Sequence, residues 1–156
     1  MNNPPPRATR TTAAAPIISG GPVVAADLDA WKQTVEEQER QCAAHRFGAA
    51  VVSIALTSPS VEQRRAALAV LAAEMAATDV IGILSDTEFA LVLMPLESVL
   101  VGQQRLRRID DALRAADVVA AIGWAMRQDG QGLFHASARA DAALASAIRQ
   151  RGVDLR

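Results

Sequence analysis

Four polar side chains in a row, Ser85, Asp86, Thr87 and Glu88, stand between two short apolar runs in "ILSDTEFALVLMP", residues 83–95. Glu88 is the acid best placed at this hairpin tip. A lone carboxylate does chemistry only with a base, a nucleophile or a metal partner, and none accompanies it. The other concentration of charge is basic. Arg105, Arg107 and Arg108 share a helix-like stretch with Asp110 and Asp111, and a solvated face laced with ion pairs is the simplest use of such a pattern.

The remaining reactive residue types are sparse. Cys42 is the single cysteine, which excludes an intrachain disulfide, suits a thiol-compatible cytoplasm and places a small apolar side chain at a helical core position. His45 and His135 lie far apart without cysteine companions, so no zinc or iron ligand pattern exists and neither a metal nor another cofactor is expected. With 16 basic and 17 acidic side chains the formal charge is −1, which provides no overall field toward nucleic acid or an acidic membrane surface. No run of 18 apolar residues occurs, and membrane insertion is not expected.

Residues 1–26 carry five of the seven prolines and many small residues, a composition too poor in burial to offset its ordering entropy. A disordered leader is expected there, and one domain over residues 27–156. Asp27 is a candidate N-cap for a helix that buries Leu28, Trp31, Val35 and Cys42. "GAAVVSIALT", residues 48–57, reads as a strand covered on both faces. Ser60 and Gln63 form a capping-box pair opening a helix with a stripe of Val61, Leu68, Leu71, Ala72 and Met75. "DVIGIL" and "FALVLM" are close enough that only a hairpin joins them. A helix from Glu97 to about Ala116 buries Val99, Leu106, Ile109 and Leu113, a strand covers 118–126, and a last helix runs from near Ser137 to Gln150. A leading helix followed by β-α-β-β-α-β-α predicts an α+β sandwich.

The hairpin with its flanks resembles the signature of the GGDEF, or diguanylate cyclase, family, in which an aspartate leads a strand and the tip reads Gly-Gly-Asp-Glu-Phe. Ser85 and Asp86 stand for the two glycines and Thr87 for the metal-binding acid, while Glu88 and Phe89 are retained. "AAIGWA", with Ile122 and Gly123, is similar to the family's Ser-Ile-Gly-Val-Ala strand. "ARADAALASA" looks like its closing helix through Ala140, Asp141, Ala143 and Leu144, and "AHRFGAAVVSIAL" is similar to the approach to its first strand. The resemblance covers about residues 27–156 in collinear order. It implies a nucleotidyl-cyclase-like fold with a central, mainly antiparallel sheet flanked by helices.

The same resemblance implies an erased active site. Joining two GTP molecules needs a cation held by carboxylates, one from the first strand and one from the tip. Ser53 or Ala55 occupies the first position and Thr87 the second, and a neutral hydroxyl is no substitute for a carboxylate. Asp86 adds negative charge where phosphates would lie, Ser85 and Asp86 are expected in the turn itself with Asp86 tolerating a left-handed backbone, and Ile148 takes the place of a phosphate-contacting lysine. The family's inhibitory Arg-x-x-Asp site retains Asp79 but has Ala76 for arginine. The expectation is therefore a catalytically inactive domain acting through protein partners, a homodimer among them, as a regulatory or scaffold module in bacterial cytoplasmic signalling. The alternative is a sensor that binds cyclic di-GMP or GTP without turnover, using Asp79 with Arg105, Arg107 and Arg108.

Overall fold

The computed structural model describes residues 21–154. Nine elements follow one another: β1 (Val23–Ala25), α1 (Leu28–His45), β2 (Ala50–Leu56), α2 (Val61–Glu74), β3 (Val80–Ile83), β4 (Glu88–Leu93), α3 (Val99–Ala115), β5 (Ala120–Met126) and α4 (Gly132–Asp154). The five strands form one sheet in the order β1-β3-β4-β2-β5. Only β1 with β3 is parallel; the other pairings are antiparallel, as the expected α+β sandwich requires.

Strand alternation divides the core between two faces. Val52, Ile54 and Leu56 of β2 join Ile81, Phe89, Leu91 and Leu93 beneath α2 and α3. On the opposite face Val51 joins Val80, Ala90 and Val92 beneath α1 and α4. β2 is thus buried on both sides, which explains why its sequence is an apolar run interrupted only by Ser53 rather than an alternating one.

Local signals set the helix starts. Asp27 accepts from the Ala30 N–H at 2.8 Å, and Ser60 and Gln63 make the reciprocal box at 3.0 and 2.9 Å. Ser98 caps α3 through the Val101 N–H at 3.2 Å. α4 starts earlier than Ser137, at Gly132, because its first turn is held from outside the helix. Glu39 of α1 accepts from the Leu133 N–H at 2.9 Å, supplying a cap from 94 positions away in the chain.

Several expectations are corrected. The stretch expected as a leader to residue 26 contains β1, whose Val23–Ala25 pair in parallel with Val80–Gly82, since an open sheet edge satisfies backbone groups that composition alone leaves to water; residues 1–20 lie outside the described residues. Leu28, Val61 and Val99 are half exposed rather than buried, because each sits in the first turn of its helix, beyond the rim of the sheet. Ala72 is also exposed, and Ala67 takes its place in the buried stripe with Leu71.

Two close approaches depend on glycine. A Cβ on Gly82 would lie 2.4 Å from the Trp31 ring, so the indole rests directly on the β3 backbone. A Cβ on Gly123 would lie 2.2 Å from the Leu144 nitrogen and 2.5 Å from the Ala140 oxygen. At this second site both obstructing atoms are backbone, and α4 would have to lift from β5. Gly123→Ala is expected to cost about 1–3 kcal/mol, read as a lower midpoint in urea unfolding, and an unchanged midpoint would contradict the contact.

Glu39 also ties α1 to β5. Its carboxylate accepts from Arg127 Nε at 2.8 Å and from a terminal guanidinium nitrogen at 2.7 Å, and the Arg127 side chain is only 8% exposed. The hydrogen bond from Arg127, more than the Leu133 N–H, holds the Glu39 pKa below its ordinary value of 4.5, against an opposing push from burial. A depressed folded-state pKa contributes stability that is present above the unfolded value and lost as pH falls through the folded one. Glu39→Gln should therefore lower stability at neutral pH and flatten its decline from about pH 4.5 downward, in unfolding curves taken across that range.

Candidate functional site

The hairpin tip is built around one hydroxyl. β3 and β4 pair from Val80↔Val92 to Ile83↔Phe89, and the Leu84 N–H closes the loop on the Glu88 oxygen at 3.0 Å. Inside it, Ser85 Oγ accepts from the Thr87 and Glu88 N–H groups at 3.2 and 3.1 Å, so the side chain that departs from glycine serves as the turn's internal acceptor. The left-handed backbone expected at Asp86 is not found. Positive φ among non-glycine residues occurs at Arg46, Ser58 and Asp117, and the Ser85 hydrogen bonds make it unnecessary at the tip.

Asp86 instead reaches α2, where Arg64 meets it at 2.7 Å. The pair spans a groove of about 270 Å³ between α2 and the hairpin, walled by Leu68, Ile83 and Phe89. Asp86 is nearly fully exposed, so solvent screens the contact and its strength is small. Phe89 is buried, consistent with a core role.

β2 supplies the neighbouring floor. The Leu56 N–H donates to the Thr87 oxygen at 2.8 Å, and Ala55 is paired with Glu88. Around this junction the side chains are therefore Ala55, Thr87 and the exposed Glu88, which lies 3.4 Å from Ser85 Oγ. Ser53 lies on the same sheet face as Ala55 but is turned to α4, where it donates to Asp141 at 2.6 Å, beside Gly123. Thr87 and Ser53 thus do not converge on one point. Among the described residues no group of three or more His, Cys, Asp or Glu is arranged to hold a metal ion.

The second set of residues separates in a different way. Asp79, one position before β3, has no exposed surface. Its two oxygens receive the Ala76 N–H at 2.7 Å, the Met94 N–H at 3.0 Å and the Arg105 guanidinium at 3.2 and 2.5 Å. Arg105 also donates to the Glu74 carbonyl at 3.4 Å. The carboxylate thereby joins the end of α2, the base of the hairpin and α3 through charge-assisted bonds. Arg108 reaches Glu74 at 3.6 Å, and Arg107 is exposed on the other side of α3. The three arginines do not form one cationic patch around Asp79.

Sequence reasoning missed Arg64 as the partner of Asp86, Asp141 as the partner of Ser53, and the Glu39–Arg127 pair. Each joins residues remote in the chain, and no local spacing announces them.

A mixed sheet with an antiparallel hairpin at its centre and two helices on each face defines the nucleotidyl-cyclase-like class of α+β domains. Within that class the chain has the fold of the GGDEF domain. It superposes on the GGDEF domain of DgcB from Caulobacter crescentus, solved in complex with cyclic di-GMP, with TM-score 0.69 and 16% identity over 80% of this chain and 85% of that one. The GGDEF domain of TpbB (YfiN) from Pseudomonas aeruginosa matches with TM-score 0.65 and 18% identity, over 80% and 84% of the two chains. Diguanylate cyclase SiaD of the same organism, solved with its activator SiaC, matches with TM-score 0.63 and 19% identity, over 80% of this chain and 55% of SiaD. No protein-family profile and no curated protein matches the sequence. No described helix is long and apolar enough to cross a membrane.

Breaking the Asp79–Arg105 pair leaves a buried charge uncompensated. Arg105→Met should cost about 3 kcal/mol or more in chemical denaturation. Asp79→Asn combined with Arg105→Met should cost less than the two single changes added together, and strict additivity in that double-mutant cycle would show that the pair is not coupled.

Proposed function

We propose that this chain is a catalytically silent GGDEF-fold domain whose role in cyclic di-GMP signalling rests on protein contacts. The observation that carries the reading is the junction of β2 with the hairpin tip, where Ala55 and Thr87 stand at positions that would have to supply carboxylates. Glu88 is exposed, and the other acid of the tip, Asp86, is turned to Arg64 of α2. Two triphosphates brought together there would meet a neutral hydroxyl and the carboxylates of Asp86 and Glu88, with no ligand set to recruit a neutralising cation.

The tip is maintained for a different purpose. Ser85 holds the turn, Asp86 meets Arg64 of α2 at the surface, and Phe89 is seated in the core beneath the same helix. A stable scaffold with an unfurnished catalytic corner fits a domain that is recognised rather than one that turns over substrate.

Non-catalytic binding of cyclic di-GMP or GTP is disfavoured by Asp79. Its carboxylate is fully buried and already receives four donor contacts, one pair of them from Arg105, so neither residue is free for a nucleotide without opening the base of the hairpin.

Incubating the purified full chain with GTP and either magnesium or manganese should give no cyclic di-GMP on chromatography, and Thr87→Asp alone should not create the activity because Ala55 remains neutral. Turnover by the unaltered chain would overturn the proposal. Calorimetry with cyclic di-GMP and GTP should give no saturable heat at high micromolar ligand, and a titration curve with either nucleotide would assign the chain to the sensor class instead.

A further inference from the structure

β5 is the last strand of the sheet, with β2 on one side and an open edge on the other. Two hydrogen bonds fix which backbone groups face that edge. The Arg127 N–H donates to Ala49 at 2.8 Å and the Thr57 N–H to Val119 at 3.1 Å, in the same register that pairs Ala50 with Met126 and Leu56 with Ala120. The hydrogen-bonded pairs are therefore Val51–Ala125, Ser53–Gly123 and Ala55–Ala121. Antiparallel alternation then turns the N–H and C=O groups of Ala120, Ile122, Trp124 and Met126 outward.

α4 caps the two ends of this row. Arg151 donates to the Ala120 carbonyl at 2.7 Å, and Arg139 donates to the Met126 carbonyl. Ile122 and Trp124, between them, present edge groups that no other described strand pairs. The strand lacks the usual devices that discourage strand addition: residues 120–126 contain no proline and no charge.

Beside this edge, α3 and α4 bound two grooves of about 360 and 380 Å³ that share Asp110, Arg114, Ala120 and Arg151. Arg107 lines the first. Three guanidinium groups therefore face two carboxylates, Asp110 and Asp117, and Asp110 is already paired with Arg114 at 3.1 Å. The excess charge is positive, which contrasts with the −1 of the whole chain.

We infer that the β5 edge is a docking site for an extended acidic segment of a partner protein, which adds as a strand along Ile122 and Trp124 and lays carboxylates over Arg107, Arg114 and Arg151. Main-chain pairing supplies the attachment and the arginines select the charge of the incoming chain. A second copy of this chain is a poor occupant, because its own β5 would bring no acid and the same three arginines. This inference rests on the interaction role proposed above and names the chemistry of the partner; GTP turnover is measured separately, so failure of one is distinguishable from failure of the other.

The full chain, labelled with nitrogen-15, can be titrated with the acetylated and amidated peptide Glu-Val-Glu-Val-Glu-Val-Glu. The Ile122 and Trp124 amide resonances should shift saturably. Alternate N-methylation of the peptide, which removes the donors a strand needs, should weaken binding about tenfold or more, as should Arg107→Glu, a change at an exposed residue outside the core. A Lys-for-Glu peptide should not bind. Shifts confined to arginine side chains, equal binding of the N-methylated or lysine peptide, or full reproduction of the response by inorganic phosphate would each overturn the inference. Concentration-dependent shifts at Ile122 and Trp124 without peptide would overturn it in favour of self-association.

Discussion

A carboxylate without any contact to water must find all of its partners within the protein, and the position of Asp79 follows from that constraint. It collects two backbone N–H groups and the Arg105 guanidinium from three separate parts of the chain. The consequence is mechanical as well as electrostatic. The start of β3 and the end of β4 are held at a fixed spacing, α3 is pinned across them, and the hairpin beyond can project as a rigid unit even though its tip is fully polar. A residue that looks from sequence like one half of a ligand site is thereby committed to architecture.

How far the sequence discloses this fold depends on the range of the interaction involved. Asp27, Ser60 and Gln63 act within one helical turn, and their roles are readable from spacing alone. The apolar run of β2 is readable too, because burial on both faces leaves no polar position in the alternation except Ser53. β1 is not readable, since three residues have no periodicity and the strand exists only because the β3 edge is there to receive it. The early start of α4 is hidden for a related reason: its cap, Glu39, belongs to another helix. First-turn residues such as Leu28, Val61 and Val99 mislead periodicity because a helix extends past the sheet it covers, so the right face no longer guarantees a neighbour.

The candidate site shows the same division. The identity of the residues at the tip was legible, including the neutral side chains at Thr87 and along β2. The geometry that gives the tip its present purpose was not, because Ser85 acting as a turn acceptor and Asp86 reaching Arg64 depend on where α2 lies. Asp86 did not need the left-handed backbone that its residue type permits; a hydrogen-bonded alternative was available and costs less strain. Residue type constrains the menu of conformations, and the surroundings choose among them.

The two ends of the sheet differ in what they offer to an incoming chain. At one end β1 is short, and Val23 and Val24 are exposed at its margin. At the other, β5 extends through seven residues, rests on α4 by backbone contact at Gly123, and has arginines fixed at both ends of its outward row. The contact at Gly123 holds the strand flat against α4, while the smaller contact with α3 leaves its edge accessible. A rigid, uncharged strand flanked by cations discriminates between incoming chains by their charge without using any residue of the hairpin. Binding at that edge is independent of the residues at the hairpin tip, because the two surfaces share the sheet but none of their side chains.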